Sequence, residues 1–174
     1  MLSYTKMLGA LQDVGNTVTL PHYLELLDAA GMLTGLHKWA GDAARRRGSS
    51  PKLQAYDNAL VSATSGLSYR QVRGDPERWG RLVESAVGAH LATAAATGAC
   101  ELFWWRDRNR EVDFVARRGQ RLTAIEVKSS RSPTSMPGVA AFAEAFRPAR
   151  TLLVGGQGIP LDEFLSTPAT DWLA

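Results

Sequence analysis

The sequence predicts a mixed α/β protein in two parts, and three observations predict it. Between residues 101 and 128, apolar and polar side chains alternate with the period of two that a strand imposes. Just before them, Glu77 to Thr97 repeats apolar residues at three- and four-residue spacing, the stripe of a long packed helix. Ahead of both, helical patterns lead into two short strand candidates, Leu33 to Trp39 and Lys52 to Tyr56.

Taken in order, the chain opens with a helical pattern from Tyr4 to Leu11 that ends near Gly15-Asn16. Thr19 suits an N-cap and Pro21 a first helical turn. Leu20, Tyr23, Leu24, Leu27 and Ala30 give the next helix its stripe, and Gly31 ends it. The two strand candidates flank a polar loop, Gly41 to Ser50, that carries Arg45, Arg46 and Arg47. Helix, turn, helix and a hairpin with a basic loop outline a winged helix, here over residues 1–74. A short helix from Asn58 to Ser65 leads to a seam around Gly66 and Gly74-Asp75-Pro76. Residues 75–174 then give the long helix, strands at Glu101 to Arg106, Glu111 to Arg117 and Arg121 to Lys128, and a helix at Val139 to Phe146. A strand at Thr151 to Val154 and a short helix near Leu161 to Leu165 complete them. Trp79, Leu82, Val83, Ala86, Val87, His90 and Leu91 form the expected buried stripe of the long helix.

Composition narrows the class. At 174 residues the chain can bury a core as one domain or two small ones, and an apolar fraction of 45% with five tryptophans excludes a disordered tail. The single cysteine, Cys100, excludes an internal disulfide and fits a reducing compartment. There is no continuous apolar run of membrane-spanning length, and MLSYTKMLGALQD lacks the order of a signal peptide. The expectation is a soluble cytoplasmic protein. A net charge of +3 and a pI near 9.3 permit a polyanionic partner without requiring one.

The chemistry concentrates in Glu111-Val112-Asp113-Phe114 and Ile125-Glu126-Val127-Lys128. Strict alternation puts Glu111 and Asp113 on one face, with Val112 and Phe114 on the other. It likewise puts Glu126 and Lys128 together, opposite Ile125 and Val127. If the strands pair through the turn at Arg117 to Gln120, two carboxylates and an ammonium meet. Hard oxygen ligands of that kind suit a divalent ion, and a neighbouring lysine can steady developing negative charge. A wet sheet face would alternate in the same way. Glu126, however, lies within the apolar run Ala-Ile-Glu-Val-Lys, where a charge calls for a partner or a metal. Glu84 on the long helix is flanked by Gly80 and Gly88, one turn away on each side. Either something approaches Glu84 closely, or the glycines let the helix pack tightly on the sheet.

Glu84, Asp113 and Glu126-Val127-Lys128, taken in that order, resemble the PD-(D/E)xK nuclease pattern. More closely, SYTKMLGALQD, TLPHYLELLDAAGML, SSPKLQAYDNAL, GRLVESAVGAHL, FWWRDRNREVDFV and AIEVKSS resemble the C-terminal region of bacterial and archaeal AAA-type ATPases of unassigned role. In those proteins a winged helix and a nuclease-like domain follow the ATPase. The resemblance implies a restriction-endonuclease-like mixed sheet flanked by helices after the winged helix. It implies that Asp113 and Glu126 hold Mg2+ or Mn2+, that Lys128 stands by the scissile phosphate, and that Glu84 supports the metal or its water. Val112 stands where the pattern has proline.

No G-x-x-x-x-G-K-[ST] stretch is present, so no nucleotide site is expected, and Val154 to Pro160 reads as a glycine-rich loop. The chain then reads as a fragment, or as a protein that has lost its motor, and an ATPase module would act in cis or in trans. DNA is the expected polyanion, but the helix from Thr19 to Leu33 has no lysine or arginine and carries Glu25 and Asp28. Backbone phosphate contacts fall instead to Arg45, Arg46, Arg47, Arg108 and Arg110, with Arg106, Arg117, Arg118 and Arg121 nearby. His22, His37 and His90 show no metal-ligand spacing, and His90 falls on the packed stripe. Trp104 and Trp105 point to opposite faces, leaving at most one as a stacking platform. Two classes of function follow: a magnesium-dependent phosphodiesterase, or a catalytically silent DNA- or protein-binding module that supports an ATPase. An antitoxin-like interaction protein is a third.

Overall fold

The computed structural model describes residues 19–41, 51–130 and 135–174. The helix expected at Tyr4 to Leu11 and the arginines Arg45, Arg46 and Arg47 lie outside the described residues. Helix α1 spans Thr19–Ala29 and is followed by the antiparallel strands β1 (Leu33–Lys38) and β2 (Lys52–Ala55). Three helices come next: α2 (Asn58–Ser65), α3 (Tyr69–Gly74) and α4 (Pro76–Ala96). Strands β3 (Glu101–Asp107), β4 (Arg110–Arg118) and β5 (Arg121–Lys128) precede α5 (Pro137–Phe146) and β6 (Arg150–Gly155). Two short helices, α6 (Leu161–Ser166) and α7 (Ala169–Trp172), end the chain.

The strands form one six-stranded sheet in the order β2-β1-β3-β4-β5-β6. β3, β4 and β5 are antiparallel neighbours, whereas β1 runs parallel to β3 and β6 parallel to β5. The hairpin expected as a wing is therefore continuous with the sheet of the second half. His37 pairs with Phe103 and Lys38 with Trp104, and the Trp39 N–H donates to the Trp104 carbonyl at 2.7 Å. Pairing satisfies a strand edge that would otherwise present free backbone groups. The seam expected at residue 74 falls between α3 and α4, where the Asp75 carboxylate caps α4 by accepting the Glu77 and Arg78 N–H groups.

One apolar core lies between the sheet and α4, with Val83, Val87 and Leu91 packed on Trp104, Phe114, Ile125 and Val127. A second lies on the other face, where Val139 and Phe142 of α5 meet Trp39, Phe103, Trp105, Val112 and Val115. Trp104 and Trp105 do face opposite sides, but both are buried, so neither offers the exposed stacking platform that alternation allowed. Helix α5 lies directly on the β4 backbone: a Cβ at Gly138 would come within 1.8 Å of the Glu111 carbonyl oxygen. Helix α3 occupies part of what the sequence suggested was loop. Its start carries a capping box, in which Ser68 accepts from the Gln71 N–H and the Gln71 side chain accepts from the Ser68 N–H.

Candidate functional site

The site is set by an irregularity in β4. Phe103 pairs with Val115 and Trp105 with Val112, so two steps along β3 are matched by three along β4. The extra residue lies at Asp113-Phe114. Strict alternation fails there: Val112 enters the core beside α5, whereas Phe114 enters the core beside α4. The expectation that Val112 and Phe114 share a face is corrected accordingly. The β4–β5 ladder also stops at the Phe114–Ile125 pair. Beyond it, Asp113 Oδ2 accepts the Val127 N–H at 2.8 Å, so a carboxylate stands where a ladder carbonyl would be. A bulge re-aims a side chain in this way at the cost of local pairing.

On β5 the alternation holds. Ile125 and Val127 face the α4 core, and Glu126 and Lys128 meet on the other side, with Lys128 Nζ donating to Glu126 Oε1 at 2.6 Å. Glu126 is only 8% exposed, and its Oε2 has no hydrogen-bond partner. A buried carboxylate oxygen without a partner is costly and suits a ligand. Burial, together with the charges of Glu126 and Glu84, pushes the Asp113 pKa up to about 7, although Lys52 and the Val127 N–H pull the other way. Burial opposes the Lys128 ammonium, but the hydrogen bond and charge of Glu126, helped by Asp113 and Glu84, raise its pKa above the ordinary lysine value.

The glycine loop after β6 backs this lysine. Gly155 and Gly156 have φ of +73° and +60°, and a Cβ on them would lie 2.2 Å from the Lys128 carbonyl oxygen and 3.1 Å from Lys128 Cβ. The N–H groups of Gly155, Gly158 and Ile159 are turned to carbonyls of the same segment. These three backbone donors are therefore spent internally.

Glu84 lies within reach of this cluster, but its partner is Lys52. Lys52 Nζ sits 2.6 Å from Glu84 Oε1 and 3.9 Å from Glu111 Oε1, and donates to the Asp113 carbonyl at 3.3 Å. Lys52 belongs to no catalytic motif in the sequence. The available signal was the alternation of Lys52 and Gln54 with apolar neighbours on a predicted strand. Gly88 makes the docking possible: a Cβ there would fall 2.0 Å from Gln54 Oε1 and 2.7 Å from Phe114 Cζ. Gln54 in turn donates to the Ser85 and Ala55 carbonyls at 2.9 and 2.7 Å. Gly88 thus admits β2 to the helix, while Gly80 meets only Ser129 Oγ, at 3.3 Å. Among the described residues no three His, Cys, Asp or Glu side chains are arranged to hold a metal ion, so Glu84, Asp113 and Glu126 do not form a closed triad.

Of the described arginines expected at or near nucleic acid, Arg106, Arg110 and Arg117 have acidic neighbours. Arg110 pairs with Asp107, Arg117 with Glu101, and Arg106 lies 3.8 Å from Glu111. Arg108 occupies the β3–β4 turn with a φ of 54°. His90 bonds the Thr167 carbonyl at 3.0 Å and packs edge-on to Phe164, in keeping with a structural histidine. Cys100 is buried, and burial pushes its thiol pKa up. No helix among the described residues is long and apolar enough to cross a membrane.

Fold and site together define a mixed α/β protein whose carboxylate–lysine cluster sits at a strand fork in the sheet. The chain belongs to the family described as Domain of unknown function (DUF4143), whose model matches residues 79–166, half of the chain. Neither the curated proteins nor the solved structures contain a match to it.

Proposed function

We propose that the chain carries a divalent-metal-dependent phosphodiester hydrolase site of the PD-(D/E)xK type, acting on DNA beside an AAA-type ATPase module in cis or in trans. The observation that carries this reading is the strand fork. There a bulged aspartate, a buried glutamate with an unused oxygen and a lysine two residues further on are brought together. The element order α4, β3, β4, β5, α5, β6, with these residues on adjacent strands, supports the same reading.

The donor set fits a hard cation, because Glu126 Oε2 is buried and unpartnered and Asp113 is crowded by other carboxylates. Asp113 and Glu126 would hold Mg2+ or Mn2+, with Glu84 as a supporting carboxylate. Such an ion supplies Lewis acidity and a water of lowered pKa when bound. Lys128 stays charged beside Glu126 and provides the positive charge that a phosphorane-like transition state needs. Asp113 must be ionised to serve, and because its pKa is raised in the metal-free protein, an ion binding below neutral pH would have to displace a proton from it. Arg45, Arg46, Arg47, Arg108 and Arg110 supply sequence-independent backbone contacts.

The test is cleavage of plasmid and of single-stranded DNA with Mg2+ or Mn2+. Cleavage that is lost with chelator and with Asp113→Ala supports the reading. Metal-dependent cleavage that is indifferent to Asp113→Ala, or no cleavage of either substrate, rejects it. The second reading, a catalytically silent module that binds DNA or protein and supports an ATPase, is favoured by the engagement of Glu84 with Lys52.

A further inference from the structure

Lys52 reaches the acidic cluster from the first half of the chain. Its ammonium is bounded by Glu84 Oε1 at 2.6 Å, Glu111 Oε1 at 3.9 Å and the Asp113 carbonyl at 3.3 Å. The Phe114 ring completes the enclosure, with its centroid 5.0 Å away, and the side chain is only 17% exposed. Oxygen ligands and an aromatic face are the surroundings of a bound cation. On β5, next to the strand of Asp113, the buried Glu126 Oε2 has no hydrogen-bond partner, which leaves a carboxylate oxygen open to a cation.

We propose that Lys52 is a tethered cation that competes with a divalent metal for Glu84, so that metal binding at Asp113 and Glu126 and release of Lys52 from Glu84 are linked. The inference rests on the metal-site reading above. The ammonium 2.6 Å from Glu84 Oε1 takes one of the two carboxylate oxygens and neutralises the charge that a metal would draw on. An ammonium and a divalent ion within a few ångströms repel, so occupancy by one disfavours the other. Linkage makes the coupling reciprocal: the factor by which Lys52 weakens the metal is the factor by which the metal weakens the Lys52–Glu84 contact. This accounts for the lack of a closed carboxylate triad among the described residues although Asp113 feels both Glu84 and Glu126. It also makes the β1–β2 hairpin a working part of the site.

Mn2+ binding to the full chain, followed by calorimetry or by the Mn2+ electron-spin signal, tests the linkage. Lys52→Met should bind Mn2+ about fivefold or more tightly than the wild type, the lower end of ordinary site-to-site coupling. Lys52→Arg should bind as the wild type does, and Glu126→Gln should abolish binding in either background. Equal affinities for wild type and Lys52→Met, with binding still lost in Glu126→Gln, would reject the tether and leave the metal site standing. Weaker binding by folded Lys52→Met would make Lys52 a support and would also reject it. No Glu126-dependent binding in any variant would remove both readings. Should Lys52→Met fail to fold, acylation of the wild-type lysines, mapped by mass spectrometry, gives the same answer. Lys52 labelling should rise with the midpoint of Mn2+ binding, and labelling unchanged through saturation would overturn the proposal.

Discussion

Two lysine–carboxylate pairs flank Asp113, both at 2.6 Å, and they are built in opposite ways. Lys128 and Glu126 are two residues apart on one strand, so the pleat alone brings them together. Lys52 and Glu84 lie on a strand and a helix and meet only because β2 docks on α4 through Gln54 and Gly88. The pairs also differ in what they leave over. The local pair leaves Glu126 Oε2 without a partner, whereas the docked pair engages Glu84 with an enclosed ammonium. On the reading proposed above, the contrast separates a lysine placed to act from a lysine placed to hold.

The largest expected effect tests that separation directly. Lys128→Ala should lower metal-dependent DNA cleavage by about 10²–10³-fold, the usual loss when a preorganised charge is removed from a transition state. Lys52→Met should not lower it. Equal losses in a plasmid-nicking assay would collapse the distinction between the pairs.

A second effect concerns the aspartate between them. Burial, Glu126 and Glu84 raise the Asp113 pKa from 3.8 to about 7 in the metal-free protein. Above pH 4 the folded chain therefore keeps a proton that the unfolded chain has released. The sign follows: this contribution to stability is fully present below pH 4 and is lost as pH rises through 7, at about 1.4 kcal/mol per pH unit. Chemical denaturation of the metal-free protein should show stability falling between pH 5 and pH 7, with Asp113→Asn flattening the fall. A fall that persists in Asp113→Asn would assign it to other groups.

Two glycine substitutions perturb the pairs one at a time. In Gly88→Ala the new methyl meets Gln54 Oε1 at 2.0 Å and Phe114 Cζ at 2.7 Å, forcing β2 off the helix. Overpacking of this kind costs about 1–3 kcal/mol, partly offset by the roughly 1 kcal/mol that alanine gains over glycine in a helix. Thermal unfolding should register a drop of a few degrees, and Lys52 should become more reactive to acylation while Lys128 does not. Gly156→Ala should do the reverse. It places a side chain at φ +60°, 3.1 Å from Lys128 Cβ, at a cost of about 1–2 kcal/mol for the left-handed backbone. If both substitutions expose both lysines equally, the two pairs form one unit.

The same contrast explains what could be read from the sequence. Helix α4, strands β3 to β5, and the Glu126–Lys128 pairing followed from local period, because neighbours along a strand or helix determine them. The bulge at Asp113-Phe114 did not, since an extra residue leaves no mark on an otherwise alternating run. No local pattern marks Lys52 as part of the site, because its partner Glu84 comes from another element, and of the two readings of Gly88 the tight-packing one holds, since it accommodates Gln54 and Phe114 of the sheet. Helix α3 was legible in principle: Ser68-x-x-Gln71 is a capping signature, overlooked between Gly66 and Gly74. The joining of the hairpin to the main sheet required knowledge of which strand edge stood open, which no local pattern carries.

The smallest expected effect asks whether either lysine serves DNA binding at all. Binding should be weak and sequence-independent, with affinity falling as salt rises, because phosphate contacts act by releasing counterions. Arg108 and Arg110 lie at the β3–β4 turn, and Arg110 is three residues along β4 from Asp113, about 10 Å at strand rise. Arg110 already pairs with Asp107, so part of any phosphate contact it makes is offset by loss of that pair. Arg108→Ala should therefore reduce the slope of log affinity against log salt by about one, and Arg110→Ala by less. Lys52→Met should leave the slope unchanged, because its ammonium is enclosed by the chain's own oxygens. Fluorescence anisotropy over a salt series measures all three. A slope change for Lys52→Met as large as that for Arg108→Ala would mean that Lys52 leaves Glu84 for phosphate, and the holding role assigned to it would be wrong.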